Sequence, residues 1–529
     1  MQLEPILISG HWSTPAEAPK TFNAFNPATG EALAALYPVS PWHDLDEMLR
    51  AGTEAAAALA RTAPEAIAGF LEDYANRIQA HADELVRIAH IETALAEAPR
   101  LRDVELPRTI NQLRQAAAAA REGSWSTPTI DTKLNIRSRL EPLGKPVVVM
   151  GPNNFPYAFN GIAGGDFAAA IAAGNPVIAK AHPAHAGTTR VLARLAHEAV
   201  VASGLPAATV QMFYRCAAPD GLRLMSDPRT GALGFTGGRP TGLKLKAAAD
   251  AAGVPAYFEL GSVNPVVILP GALAERGTAL ATEFAGSCLL GVGQFCTNPG
   301  IVLVVRSETA SVFLNDAVAK FSSSPAGALL APDMPAILKA TAAHMVSLGA
   351  DLLCGGSEGP SPGFRFQSTL LSVKGATFLK HPKEFQEEMF GPCSVVVVAD
   401  DEDQLEECVA LIEPGLTGSL YTATDGSDDA LHDRLVPLVA RNVGRVLNDK
   451  MPTGVAVSPA MVHGGPYPAA GHPGFTAVGI PASIRRFAAL RCYDSFRPAR
   501  LPAILRDANP GGLAWRLVDG AWTRDDIAR

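Results

Sequence analysis

Between residues 146 and 260 short apolar runs alternate with helical segments, and few folds accommodate that alternation. Pro146-Val147-Val148-Val149-Met150 is an apolar run closed by Gly151-Pro152, the pattern of a buried strand. Residues 165–173 read as a helix closed by Gly174-Asn175. Val177-Ile178-Ala179 is a second strand, and a helix through Leu192, Leu195 and Val200 stops at Gly204. Residues 210–214, 232–235 and 256–260 read as three more strands, with a helix from Gly242 to Ala252 before the last. This pitch specifies a parallel, doubly wound sheet, and such sheets place ligands at the carboxyl ends of their strands.

After Asn264 a second series begins, with strand-like runs at 266–269, 301–305, 394–398 and 418–421 and helices between them. That predicts a second α/β domain. Upstream, residues 43–90 are helical. Leu45, Met48 and Leu49, then Leu71, Tyr74 and Ile78, then Leu85, Ile88 and Ala89 recur at spacings of three and four. Pro64 and His81-Ala82-Asp83 suggest helix starts. The tail, 491–529, is polar with several prolines and reads as an arm or extension.

Length and charge narrow the function. At about 150 residues per domain, 529 residues make two or three domains. Hydrophobic residues are 48% and charged ones 18%, a globular balance, and the net charge of −8 argues against a nucleic-acid binder. The seven cysteines stand at 216, 288, 296, 354, 393, 408 and 492, with no CxxC pair and no zinc spacing. No metal site is expected. An odd, sparse set suits a reducing compartment, the opening residues lack a signal-peptide pattern, and a cytoplasmic protein is expected. Residues 284–305 carry no charge and are long enough to span a bilayer. They also contain Gly286, Gly291, Gly293, Gln294, Thr297, Asn298 and Pro299, so a buried, turn-rich segment is expected and no membrane contact.

Neither GxGxxG nor GxxxxGK[ST] occurs. Gly237-Gly238-Arg239-Pro240-Thr241-Gly242 follows a strand and precedes a helix, where amides can face a phosphate or simply form a tight turn. Three further segments stand out: Asn153-Asn154-Phe155-Pro156, Phe258-Glu259-Leu260-Gly261 and Gly293-Gln294-Phe295-Cys296-Thr297. Singly, each has an ordinary reading: a turn asparagine, a solvated carboxylate at a strand end, a small core thiol.

Together they resemble the aldehyde dehydrogenase superfamily. Six segments fall in that family's order: Gly151-Pro152-Asn153-Asn154-Phe155-Pro156, the run Ala173 to Lys180, Gly234-Phe235-Thr236-Gly237-Gly238, Glu259-Leu260-Gly261, Gly293-Gln294-Phe295-Cys296 and Glu387-Glu388-Met389-Phe390-Gly391-Pro392. The likeness extends from roughly residue 20 to 490. It implies an α/β aldehyde dehydrogenase fold, with two doubly wound Rossmann-like domains and a β oligomerisation arm. The cofactor-binding domain would span 1–130 and 146–262, the catalytic domain 263–480, and the arm with its C-terminal extension 131–145 and 481–529.

The resemblance also implies roles. Cys296 would be the nucleophile, since a thiolate attacks an aldehyde carbon well. The Asn154 amide and the Cys296 backbone N–H would hold the oxyanion, and Glu259 would be the general base for thioester hydrolysis. Lys180 would hold the adenosine ribose and Glu388 the nicotinamide ribose, with Phe390 packed beside it. Thr236, Gly237 and Gly238 would form the turn beside the nicotinamide and pyrophosphate. NAD-preferring members carry a glutamate three residues after this lysine. Pro183 stands there, so Lys180, His182 and Arg215 are candidates to hold a 2′-phosphate, and NADP is expected with NAD possible. Phe155, Tyr157, Phe295 and Phe475 are expected at the substrate.

Finer likeness, in Lys180 to Thr188, Gln294 to Gly300, Pro452 to Val455, Met461 to Pro468 and Arg506 to Pro510, points to the α-ketoglutaric semialdehyde (2,5-dioxopentanoate) dehydrogenases. Related members take long-chain fatty aldehydes with NADP. The branch usually follows Pro468 with an Asp-Pro-Arg stretch, whereas His472-Pro473-Gly474-Phe475 stands here. Lys450-Met451 also replaces the usual glycine and large aromatic before Pro452. The expected substrate is 2,5-dioxopentanoate. The alternatives are a less polar fatty or aromatic aldehyde, or a non-catalytic binding protein on the same fold. A CoA-acylating relative would lack Glu259. A homodimer or dimer of dimers is expected, built through residues 131–145, where Leu134, Ile136 and Leu140 alternate.

Overall fold

Four consecutive apolar residues, three of them β-branched, fit a pleated surface covered on both faces, and all of Val147–Met150 are buried. This strand is the middle of the five parallel strands of the first sheet in the computed structural model, which describes residues 3–14 and 20–528. The sheet runs in the order Ala256–Glu259, Ala232–Thr236, Val147–Met150, Val177–Lys180, Val210–Phe213, Ile6–Ile8, His11–Ser13. Its five strands from residue 147 to 259 are parallel, and the N-terminal pair adds an antiparallel hairpin on one edge. Chain order reverses between Val147–Met150 and Ala232–Thr236. The turns at Gly151 and Thr236 therefore flank the switch point, where such sheets open a crevice.

The second sheet runs Asp351–Cys354, Thr369–Lys374, Cys393–Ala399, Ile301–Val305, Val266–Ile268, Gly415–Tyr421, Val443–Asn448, parallel except at its first strand. The chain then crosses back. Leu260 donates to the Ala469 carbonyl and Gly471 to that of Phe258, so residues 469–471 line up beside the end strand of the first sheet. A third sheet joins Ala488–Asp494, Ile136–Pro142, Thr129–Asp131, Arg516–Val518 and Ala521–Thr523. Its last two strands come from the tail. Arg516 is fully buried there and donates to the carbonyls of Arg506, Asp507 and Asp525.

The alternation seen in the sequence is therefore the fold, with shifted ends. The helix expected from Gly242 begins at Arg239, because Pro240 suits a first turn. The strand expected at 418–421 runs Gly415–Tyr421. The helical stretch 43–90 is three helices, Trp42–Leu59, Pro64–Ala80 and Ala82–Thr93. A further helix, Leu106–Glu122, packs on Pro64–Ala80 and was not expected, since Pro107 and Arg108 look like loop residues. Strands 351–354, 369–374 and 443–448 and the N-terminal hairpin were also missed. The uncharged stretch 284–305 splits into the end of the helix Pro270–Leu289, a turn, a loop and the strand Ile301–Val305. No helix among the described residues is long and apolar enough to cross a membrane.

One buried carboxylate orders the helix Ala186–Ser203. Glu92, 2% exposed, accepts from the Gly187 and Thr188 amides at 2.7 and 2.8 Å and from the Thr188 hydroxyl at 2.7 Å. These satisfy donors that a helix start leaves free, and they oppose the burial that raises the Glu92 carboxyl to about 7. Glu92→Ala strands these donors in the core. Denaturant unfolding is expected to show a loss of about 2–3 kcal/mol.

Candidate active site

The carboxyl edge of the first sheet faces the amino edge of the second, and a cavity of about 690 Å³ lies between them. Glu259 ends a strand on one side. Cys296 precedes a strand on the other, in the loop leading to Ile301–Val305. Both line the cavity, together with Asn154 and Phe155 from the turn after Val147–Met150.

The loop that carries Cys296 is tightly held. Gly291, Val292 and Gly293 are all left-handed, with φ of 57°, 60° and 68°. For a β-branched residue this is strained backbone, and Val292 is kept there with its side chain packed over Gly327. Gly293 has no alternative, because a Cβ on it would collide with the Gly391 carbonyl. Asn264 Nδ2 donates to the Cys296 and Asn298 carbonyls at 2.8 Å each. The Gln294 carbonyl accepts from Asn154 Nδ2 at 2.8 Å. One of the two Asn154 N–H bonds is thus used to orient the amide beside the thiol, and the other remains for a ligand.

Sequence reasoning gave His463 no role, although it stood in a quoted segment. Its Nε2 lies 3.4 Å from Cys296 Sγ and 3.0 Å from Glu259 Oε1. Thiol, imidazole and carboxylate donor atoms all fall within 4.8 Å of one another. His463 and Glu259 are each 1% exposed. The imidazole and the carboxylate meet without an aligned hydrogen bond, since neither Glu259 oxygen has a well-directed donor. Burial pushes the Glu259 carboxyl up, but His463, the Cys296 thiol and Arg108 outweigh it and hold the group below its usual range. Burial, reinforced by the neighbouring Glu259 charge, holds the Cys296 thiol well above its usual value. Cys296 thus rests as a thiol in contact with an imidazole and a carboxylate, an arrangement that can activate a sulfur nucleophile.

The expected cofactor residues converge on the other arm of the cavity. Lys180, His182, Thr236, Gly237, Gly238, Glu388 and Phe390 all line it. Gly238 caps the helix Arg239–Ala252, and the space a Cβ would occupy there is open, so a phosphate can approach the amides. Glu388 Oε1 accepts from the Ser262 amide at 3.1 Å, and burial raises its carboxyl to about 7. Gly261 makes room for that side chain, since a Cβ there would collide with Glu388 Oε2. Lys180 is lowered by burial, and His182 is held well below its usual range by burial, His185 and Lys180. Its Nδ1 accepts from the Ala184 amide at 3.2 Å. Anion-facing amides at one end and a buried carboxylate at the other fit a nicotinamide dinucleotide.

Of the expected substrate residues, Phe155 and Phe295 meet edge to face at 5.5 Å beside Cys296, and Phe159 joins them 5.1 Å from Phe155. Phe475 lies in the same apolar cluster, one layer behind the cavity wall, with the Arg486 guanidinium 5.0 Å over its ring. Tyr157 does not belong to the site. It is fully buried in the first domain's core, and its hydroxyl donates to the Leu85 carbonyl at 2.7 Å, a bond it makes by pointing away from the cavity.

A sequence profile described as "Aldehyde dehydrogenase family" matches residues 12–456. The chain is 38% identical to alpha-ketoglutaric semialdehyde dehydrogenase 2 of Azospirillum brasilense, covering 98% of this chain and 99% of that one. It is 32% identical to alpha-ketoglutaric semialdehyde dehydrogenase of Acinetobacter baylyi, over 96% and 97% of the two. An NAD+ complex of the Bacillus cereus aldehyde dehydrogenase superposes with a TM-score of 0.79 at 20% identity, covering 93% of this chain and 96% of that one. On the match of the family profile and of these relatives over nearly the whole chain, the chain belongs to the aldehyde dehydrogenase family and is an aldehyde oxidoreductase.

Proposed function

We propose that the protein oxidises 2,5-dioxopentanoate to 2-oxoglutarate, using NADP in preference to NAD. The observation that carries the catalytic part is the contact of His463 Nε2 with both Cys296 Sγ and Glu259 Oε1. His463 takes the thiol proton as Cys296 attacks the aldehyde carbon. The second N–H of Asn154 and the Cys296 amide hold the resulting oxyanion. The nicotinamide supplies the hydride acceptor when bound, held by Lys180, Gly237, Gly238, Glu388 and Phe390. Glu259 then takes a proton from the water that hydrolyses the thioester, which is why a carboxylate kept ionised in a buried site is useful.

The substrate reading is supported by the two relatives named as α-ketoglutaric semialdehyde dehydrogenases, which match over nearly the whole chain. The aromatic wall of Phe155, Phe159 and Phe295, backed by Phe475, favours a second reading, a less polar aldehyde. The cofactor reading rests on Pro183, which opens a short turn where NAD-preferring relatives carry a carboxylate, and on Lys180 and His182 beside it. A neutral His182 can donate one hydrogen bond to a phosphate without protonating. The strand Ala488–Asp494 at one edge of the arm sheet, with Leu490 exposed, suits assembly with a second copy in a homodimer or a dimer of dimers. Seven free cysteines suit the reducing cytoplasm.

Four measurements test this reading. Cys296→Ala is expected to abolish aldehyde-dependent cofactor reduction. Glu259→Gln is expected to give a single burst of reduced cofactor, one per site, and then stall with the thioester formed; steady turnover near the wild-type rate would remove Glu259 from hydrolysis. The ratio of kcat/KM for NADP over NAD is expected to exceed unity, and a preference for NAD above about tenfold overturns the 2′-phosphate assignment. Glu388 ionises as pH rises through about 7, and the charged form accepts ribose hydroxyls better. Cofactor affinity measured by titration is therefore expected to strengthen between pH 6 and 8 about that midpoint, and Glu388→Gln to flatten the dependence.

A further inference from the structure

Cys296 Sγ, His463 Nε2 and the Glu259 carboxylate form a set that chemistry other than aldehyde oxidation also uses. A thiol, an imidazole and a carboxylate around one point are the donors of a three-ligand zinc centre. Among the described residues no other three His, Cys, Asp or Glu side chains bring one donor atom each within 4.8 Å of one another. The trio comes from three distant segments, so no short motif of zinc spacing marks it in the sequence.

Its dimensions suit the ion. Tetrahedral zinc holds sulfur at about 2.3 Å, nitrogen at about 2.0–2.1 Å and carboxylate oxygen at about 2.0–2.2 Å, which sets its ligand atoms about 3.4–3.6 Å apart. His463 Nε2 stands 3.4 Å from Cys296 Sγ and 3.0 Å from Glu259 Oε1, so imidazole and carboxylate need only spread slightly. Glu259 is 1% exposed and neither of its oxygens has an aligned donor, which leaves their lone pairs free for an ion. The neutral imidazole tautomer that accepts from the thiol at Nε2 presents the same lone pair to a metal. A thiolate, a carboxylate and a neutral imidazole around a divalent ion sum to zero charge, which suits a site of low exposure. Cys296 and Glu259 line the cavity, so an ion has a route in and a water can take the fourth position.

We propose that Cys296, His463 and Glu259 bind one zinc ion reversibly, and that the bound ion switches the enzyme off. The ion takes the place of the thiol proton. The Cys296 S–H bond breaks, a Zn–S bond forms and the proton passes to solvent, with no change of oxidation state. The sulfur that attacks the aldehyde carbon, the imidazole that takes its proton and the carboxylate that activates water are then all engaged at once. Thiolate and imidazole together select zinc over magnesium, which prefers a shell of oxygens. Zinc binding of this kind is independent of which aldehyde the enzyme oxidises.

The test titrates chelator-stripped, full-length protein with zinc chloride and with cobalt chloride. The wild type is expected to bind one zinc per chain and to lose aldehyde-dependent cofactor reduction, both reversed by EDTA. Magnesium chloride at the same concentration is expected to do neither. Cobalt is expected to give a sulfur-to-metal charge-transfer band, absent in Cys296→Ala, and zinc to protect Cys296 from iodoacetamide in peptide mass spectrometry. Loss of even a group that orients a ligand costs about 10–100-fold in metal affinity, so His463→Ala and Glu259→Gln are each expected to weaken zinc by at least about 100-fold. Cys216→Ser, Cys354→Ser and Cys492→Ser combined remove the thiols outside the trio that are not fully buried, and this variant is expected to bind zinc as the wild type does. Affinity unchanged in both His463→Ala and Glu259→Gln, or lost in the triple serine variant, overturns the site. So does a wild type whose Cys296 stays open to iodoacetamide under saturating zinc.

Discussion

A thiol, an imidazole and a carboxylate are held in mutual contact at the wall of the cavity, and each comes from a different stretch of chain. Glu259 ends a strand of the first sheet, Cys296 leads into a strand of the second, and His463 lies on the segment that returns from the second sheet to the first. Burial alone would push the Glu259 carboxyl up, and His463, the Cys296 thiol and Arg108 together hold it below its usual range. The three groups sit where the two sheets meet. The strained turn at Val292, the Asn264 clamp and the collision that forces glycine at 293 all serve to bring one sulfur to that junction.

Much of this was legible in the sequence. The alternation of apolar runs with helices carried the doubly wound sheet because β-branched runs and 3.6-residue periods leave local signatures. Cys296, Glu259 and Asn154 were found because each sits in a segment with a recognisable pattern. His463 was not, since 167 residues separate it from the sulfur it touches and nothing local distinguishes it from a loop histidine. Arg108 was hidden for a related reason: at the first turn of a helix beside Pro107, it reads as a solvated surface charge until packing places it on Phe159. Tyr157 misled in the other direction. It neighbours Phe155 in the chain, but the turn sends the two side chains to opposite sides, one to the cavity and one to the core.

The substrate arm combines features that look contradictory one at a time. Phenylalanines remove water, which strengthens any ion pair formed among them, and guanidinium planes pack on aromatic faces. The same low dielectric suits charges that are neutralised in place, as Arg100 is on Glu105.

The protonated state of Cys296 at rest has a consequence beyond turnover. Peroxides and electrophiles react with thiolates, and a sulfur held well above its usual pKa presents very little thiolate to them. The other buried thiols of the catalytic half, Cys288, Cys393 and Cys408, are raised by burial as well. Reaction of the Cys296 sulfur with oxidants is thereby favoured only in the part of the cycle in which it is charged.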